Sequence, residues 1–146
     1  MEKFLFWQRW LLFVSFLIAL FGVAMTFLNG THFFDLFNQQ IDPVFWGTQD
    51  ITDQTKNFQR WVYGAWGATI AGWGVMLGFI VYYPFRRREA WSWKCLVVGL
   101  AVWYLLDSGI SLYFKVCFNV VFNTGLLILA VLPLAFTRKS FSEGRR

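Results

Sequence analysis

The sequence predicts an all-α integral membrane four-helix bundle with a partly helical outer loop between its first and second spans, and three observations lead there. Of the 146 residues, 58% are hydrophobic, 22% aromatic and only 14% charged, with a mean hydropathy of +0.49, outside the usual range of soluble domains. The apolar residues gather into four runs, about 10–28, 61–83, 91–111 and 117–136, each close to the ~20 residues a helix needs to cross the hydrocarbon core. The basic residues then sort by side. With the N-terminus placed inside, Lys3, Arg9, Arg86, Arg87, Arg88, Lys94, Arg138, Lys139, Arg145 and Arg146 are internal, 10 of the 13 Lys and Arg, against Lys56, Arg60 and Lys115 outside. That asymmetry is the positive-inside rule, so both termini are expected in the cytoplasm and the protein in the cell (inner) membrane. Residues 1–146 leave room for a single four-span domain.

The same asymmetry accounts for the net charge of +5, and no basic stripe with interleaved aromatics remains for nucleic acid. Cys95 and Cys117 fall at opposite faces of the membrane, ~30 Å apart, which excludes a disulfide between them. With His32 as the sole histidine, no metal site and no cofactor are expected.

Taken in order, residues 1–9 form a short basic leader with Phe4, Phe6 and Trp7 at interfacial spacing. The run from Trp10 to Leu28 is longer than a signal-peptide core and no small-residue cleavage site follows it, so it is read as a retained first span. The loop 29–60 is the one long polar segment and holds Asp35, Asp42, Asp50 and Asp53. Within it Phe33, Phe34, Leu36, Phe37 and Ile41 recur at spacings of three and four, which predicts a short amphipathic helix lying in the headgroup plane. Asp42-Pro43 is expected to end that helix, because proline pushes the preceding residue out of the α region. Phe45 and Trp46 read as interface anchors, and the caps around Asp50 to Asp53 announce a helix that runs on into the second span. The loop is either a connector that shields helix ends or a lid over the outer mouth. Asn29-Gly30-Thr31 matches the glycosylation sequon, which matters only in a eukaryotic secretory pathway.

The second span carries two small-residue patterns, Gly64, Ala68 and Gly72 at every fourth position and Gly74 with Gly78. Such faces let a neighbouring helix come close, and the neighbour is either another span of this chain or a second copy in a homo-oligomer. Pro84-Phe85 ends the span, Arg86 to Glu89 turn the chain, and Trp91 and Trp93 are expected as the aromatic belt of the third span. Only Leu112 to Val116 separate the third and fourth spans, which makes them an antiparallel hairpin. Pro133 lies near the inner end of the fourth span, where a break is tolerated, and the basic tail from Thr137 is expected to fray.

Asp107 is the single carboxylate within the four runs. A charge near the bilayer centre costs roughly 2.5–3.5 kcal/mol on insertion scales, so it is expected to face the bundle interior beside a partner. Counting outward from the hairpin centre near Phe114 puts Asp107 level with the gap between Asn119 and Asn123, roughly 6–12 Å inside the outer interface. Asn119 and Asn123 are one turn apart and can point at the same neighbour, which gives an Asp-Asn-Asn cluster. Gly99, Trp103, Asp107 and Ser111 continue one face of the third span. At the same depth the second span offers Tyr63, Trp66 and Thr69, with Arg60 just above as the cation able to reach down; Lys115 lies ~12 Å beyond Asp107 along its helix. Trp66, Trp73 and Trp103 are expected to line a cavity suited to a flat apolar ligand. The candidate ligand-binding residues are therefore Asp107, Asn119, Asn123, Trp103, Trp66, Thr69 and Arg60. The competing reading makes the Asp-Asn-Asn cluster interhelical glue that fixes the register of the bundle.

No nucleophile elbow, zinc motif, phosphate loop or pair of intramembrane carboxylates is present. Acid/base catalysis generally needs a second group, which only His32 or Asp35 could supply by folding inward, so no catalytic residue is assigned. An ion or proton path needs polar residues at several depths, and the inner half has almost none. One span, a long outer segment and then three spans is a layout similar to that of the sterol-isomerase and sigma-2-receptor group, whose members hold sterol-like ligands with buried acids. The likeness is one of layout: the second span here has no Glu or Asp, and no residue role follows from it. The function expected is binding of a lipid-like or small apolar molecule in an outer-leaflet site around Asp107, the lipid bilayer being the first partner. The alternatives are a non-catalytic accessory or assembly subunit that meets a membrane protein partner, and an integral membrane enzyme acting on a lipid.

Overall fold

The computed structural model describes residues 2–47 and 51–142, and among them six α-helices and one π-helical turn follow one another. They are α1 (Glu2–Leu28), α2 (His32–Trp46), α3 (Asp53–Ile80) with its π turn (Val81–Phe85), α4 (Ala90–Tyr113), α5 (Cys117–Thr137) and α6 (Lys139–Ser142). The helices α1, α3 with its π turn, α4 and α5 are long and apolar enough to cross a membrane. Large apolar side chains such as Phe16, Leu105, Leu106 and Val121 stay exposed along them. In water such a surface would drive aggregation; in hydrocarbon it is the face a span must present. The chain is an all-α, multi-pass membrane protein.

The first two spans are longer than their apolar runs. The leader is the opening of α1, which starts at Glu2, and α3 starts at Asp53 behind Thr52, whose Oγ1 accepts from the Thr55 amide at 3.3 Å. Asp50, expected among the caps, and Arg145 and Arg146 of the tail lie outside the described residues.

The loop helix departs from its expected form in two ways. It runs through Pro43 to Trp46 and ends on Gly47, whose φ of 67° is the left-handed stop that a glycine adopts at least cost. Pro43 leaves the Gln39 carbonyl without its helical donor, but Gln39 is exposed, and Asp42 is held in place by the Gln59 amide from α3. The helix also turns Phe34 fully inward, where Phe34 and Phe37 pack on Phe21 of α1 and Phe37 packs on Phe118 and Phe122 of α5.

The tightest packing is between α1 and α3. A Cβ added to Gly22 would lie 2.3 Å from the Ala71 amide nitrogen, and one added to Gly74 would lie 2.4 Å from that of Ala19. Gly64, Gly67, Ala71, Gly74 and Gly78 form the seam, at alternating spacings of three and four. Of the two every-fourth-residue patterns expected from the sequence, Gly74 with Gly78 lies in the seam, while that of Gly64, Ala68 and Gly72 is corrected: Gly72 meets nothing and Ala68 is exposed, because a pair of packed helices mates along a seven-residue repeat of alternating threes and fours.

At the end of the bundle that carries the π turn and α6, all four spans converge. Phe4, Phe85, Leu96, Leu134 and Phe141 form the core there, with Phe141 of α6 4.7 Å from Phe85 and Phe4 5.8 Å from it. Pro133 removes the donor that the Leu129 carbonyl would have had, and the indole of Trp10 supplies it at 3.0 Å from α1. Trp93 donates to the Leu134 carbonyl at 2.9 Å, and Gln8 donates to the Val81 carbonyl beside the π turn at 3.4 Å. Trp93 is thus an internal tie, whereas Trp91 is exposed as a belt residue would be. The tail expected to fray from Thr137 instead buries Thr137 and Phe141.

Candidate functional site

Beyond that core the bundle opens. The backbones of α3 and α4 stay apart, and the two helices meet through Trp73 and Trp103, whose rings are 5.7 Å apart. The space between the α1–α3 pair and the α4–α5 pair is a cavity of about 590 Å³, within the ~300–1,000 Å³ of small-molecule sites. Phe21 of α1, Tyr63, Trp66, Thr69, Ile70 and Trp73 of α3, Trp103 and Asp107 of α4, and Phe118, Asn119, Phe122, Asn123 and Leu126 of α5 line it, and Phe34 and Phe37 of α2 reach into it. Nearly all of this wall is apolar, with its polar groups concentrated on α4 and α5.

Those polar groups form one cluster. The α4–α5 turn is three residues long, Phe114 to Val116, shorter than the five residues expected from the sequence, with Lys115 in the left-handed region at φ 62°, and this shortness fixes which residues face each other across the hairpin. Asp107 Oδ1 accepts from Asn119 Nδ2 at 2.6 Å and from Asn123 Nδ2 at 2.9 Å. Ser111 Oγ donates to the Asp107 carbonyl at 2.7 Å, lies 3.4 Å from Oδ1, and accepts from Asn119 Nδ2 at 2.8 Å. Asn123 is only 3% exposed. No described residue donates to Asp107 Oδ2, and Asp107 lines the cavity. One oxygen is thus committed to holding α4 on α5, while the other has no donor among the described residues.

Asp107, Asn119, Asn123, Trp103, Trp66 and Thr69 all line the one cavity. The Thr69 hydroxyl is turned back to its own helix, donating to the Ala65 carbonyl at 3.1 Å. Arg60 is not brought to Asp107. It shares the α1-facing side of α3 with Gly64 and Gly67, lies over Gly30, and borders a separate polar recess of about 330 Å³ with Asp35, Asp42, Lys56 and Gln59. His32 and Asp35 pair with each other at 2.8 Å on the exposed side of α2 rather than folding inward. Lys115 is exposed in its turn, and the one ion pair among the described residues is that of His32 with Asp35. Among the described residues no group of three or more His, Cys, Asp or Glu side chains is placed to hold a metal ion.

Sequence reasoning does not single out Ser111 as the cluster's bridge between the Asp107 carbonyl and Asn119, although it sits one turn after Asp107 on the same face. It also passed over the α2 phenylalanines as part of the wall, and over a second α4–α5 tie between the Tyr104 and Thr124 hydroxyls at 3.0 Å. Periodicity carried the first two. Beside the shared layout noted from the sequence, no protein-family model matches the chain, and no curated protein or solved structure matches it.

Proposed function

We propose that this protein binds a lipid-like or small apolar molecule in the cavity between α3 and α4, in the outer-leaflet half of the cell membrane, with both termini in the cytoplasm. The orientation rests on the ten-to-three split of basic residues, which puts the π turn and α6 inside and α2 outside. The observation that carries the reading is the conjunction of a large apolar cavity with one polar cluster on its wall. An apolar body gains by filling space that side chains leave open, and a few placed polar groups orient it. The separation of the α3 and α4 backbones offers entry from the bilayer, so the ligand need not cross water.

Mass spectrometry of small molecules released from protein purified in mild detergent tests the reading. The wild type should retain an apolar compound at near-stoichiometric amount, and Leu126→Trp, which puts an indole into the cavity, should lose it while remaining folded. Equal retention by Leu126→Trp would place the compound elsewhere on the surface and end the proposal.

A further inference from the structure

We infer that the ligand carries a protonated amine, held against Asp107, on its otherwise apolar body; this rests on the ligand-binding reading above and names the chemistry of the same site. The hydrogen bonds decide which atoms are left over. A carboxylate only accepts, so both asparagine amides present Nδ2 to Asp107 Oδ1 and turn their own Oδ1 atoms away. No described residue donates to Asn119 Oδ1, Asn123 Oδ1 or Asp107 Oδ2. Within the cluster the unused capacity is three acceptors against one amide N–H of Asn123, and an occupant with several donors fits it.

The charge points the same way. Two amide donors converge on one carboxylate oxygen, an arrangement suited to an anion. An anion in an apolar wall calls for a counter-charge, and no described Lys or Arg provides one, since Arg60 lies over Gly30 and Lys115 is in its exposed turn. An ammonium supplies the charge and three donors at once. A hydroxyl would meet one acceptor and leave the charge unbalanced, and a carboxylate or phosphate head would add a like charge. Trp103, one turn before Asp107, and Trp66 across the cavity are walls that accept a cation as readily as an apolar body.

The test uses three probes of equal chain length, hexadecylamine, hexadecan-1-ol and hexadecanoic acid, titrated into the protein in phosphatidylcholine nanodiscs with empty nanodiscs as the partition control. Tryptophan fluorescence reads binding. The amine should bind the wild type at least about tenfold more tightly than the alcohol, and the acid most weakly. In Asp107→Asn the amine and alcohol affinities should come within about threefold of each other, with the alcohol still bound. Equal wild-type affinities for amine and alcohol would overturn the amine assignment while leaving the binding reading standing, and binding by none of the three would overturn both. An amine preference that persists in Asp107→Asn would remove Asp107 from the role. Since the wild-type comparison decides the charge alone, the inference stays open to refutation even if the variant does not fold.

Discussion

The two ends of this bundle are built from the same four helices, yet one is packed and the other is hollow. At the π-turn end, side chains from α1, the π turn, α4, α5 and α6 fill the centre, and indole N–H groups tie α1 and α4 to carbonyls of α5. At the α2 end a smaller core of Met25, Phe34 and Tyr63 packs α1, α2 and α3, Phe21 meets Phe122 of α5 at 5.6 Å, and the remaining space between the pairs is bordered by Trp66, Trp73, Trp103 and the polar cluster. The difference lies in where the backbone is allowed to come close: a seam of small residues draws α1 onto α3 along their length, while α3 and α4 have bulky aromatics where they face each other. One end is filled by the larger core, and the other keeps open space between its helix pairs.

Substitutions that ignore this division should have the largest effects. Gly67→Leu would force a side chain into Thr26 and the α1 backbone, where an added Cβ already lies 2.7 Å from the Thr26 nitrogen. Overpacking of this kind usually costs ~1–3 kcal/mol, and here backbone rather than a flexible side chain must move, so we expect no folded, detergent-extractable protein. Size-exclusion chromatography reads the outcome, and a normal monodisperse peak would refute the seam.

Next in size is Trp10→Phe, which keeps the ring but leaves the Leu129 carbonyl without a donor above Pro133. The carbonyl lies on the exposed side of a membrane-spanning helix, where hydrocarbon offers no replacement donor, so the melting temperature should fall measurably. Restoring a backbone donor with Pro133→Ala in the same chain should recover much of the loss. Additive destabilisation by the pair would show that Trp10 does not answer Pro133.

At the hollow end the expected pattern reverses, with small changes in stability and large ones in ligand retention. Asn123→Leu removes one amide donor from Asp107, and an interhelical hydrogen bond of this kind is worth ~0.6–2 kcal/mol in a membrane. Thermal stability should drop by no more than that, whereas ligand retention should fall markedly. A severe loss of folded protein would favour the cluster as glue alone. Arg60→Gln should change neither, because Arg60 borders the polar recess and not the cavity; a clear loss of ligand would put it back at the site.

Much of this division was legible in the sequence, and the parts that were not share a cause. The spans, the hairpin and the meeting of Asp107 with Asn119 and Asn123 follow from local periodicity and from a turn too short to permit another register. Three features depend on partners distant along the chain. Pro43 stays helical because Gln59 of α3 holds Asp42, Trp93 is internal because the Leu134 carbonyl lies across from it, and Arg60 turns away because α3 presents that side to α1. The small-residue seam was half visible. The residues are all present, but a single helix read alone suggests every-fourth-residue spacing, whereas the packed pair uses threes and fours alternately.

Photolabelling with a diazirine-bearing apolar amine in the bilayer tests most directly that the hollow end receives a ligand. Peptide mapping should find adducts on cavity residues such as Ile70, Trp103 and Leu126, and an excess of unlabelled hexadecylamine should remove them. Labelling confined to outward-facing residues such as Leu105, Leu106 and Val121, unaffected by the competitor, would contradict it.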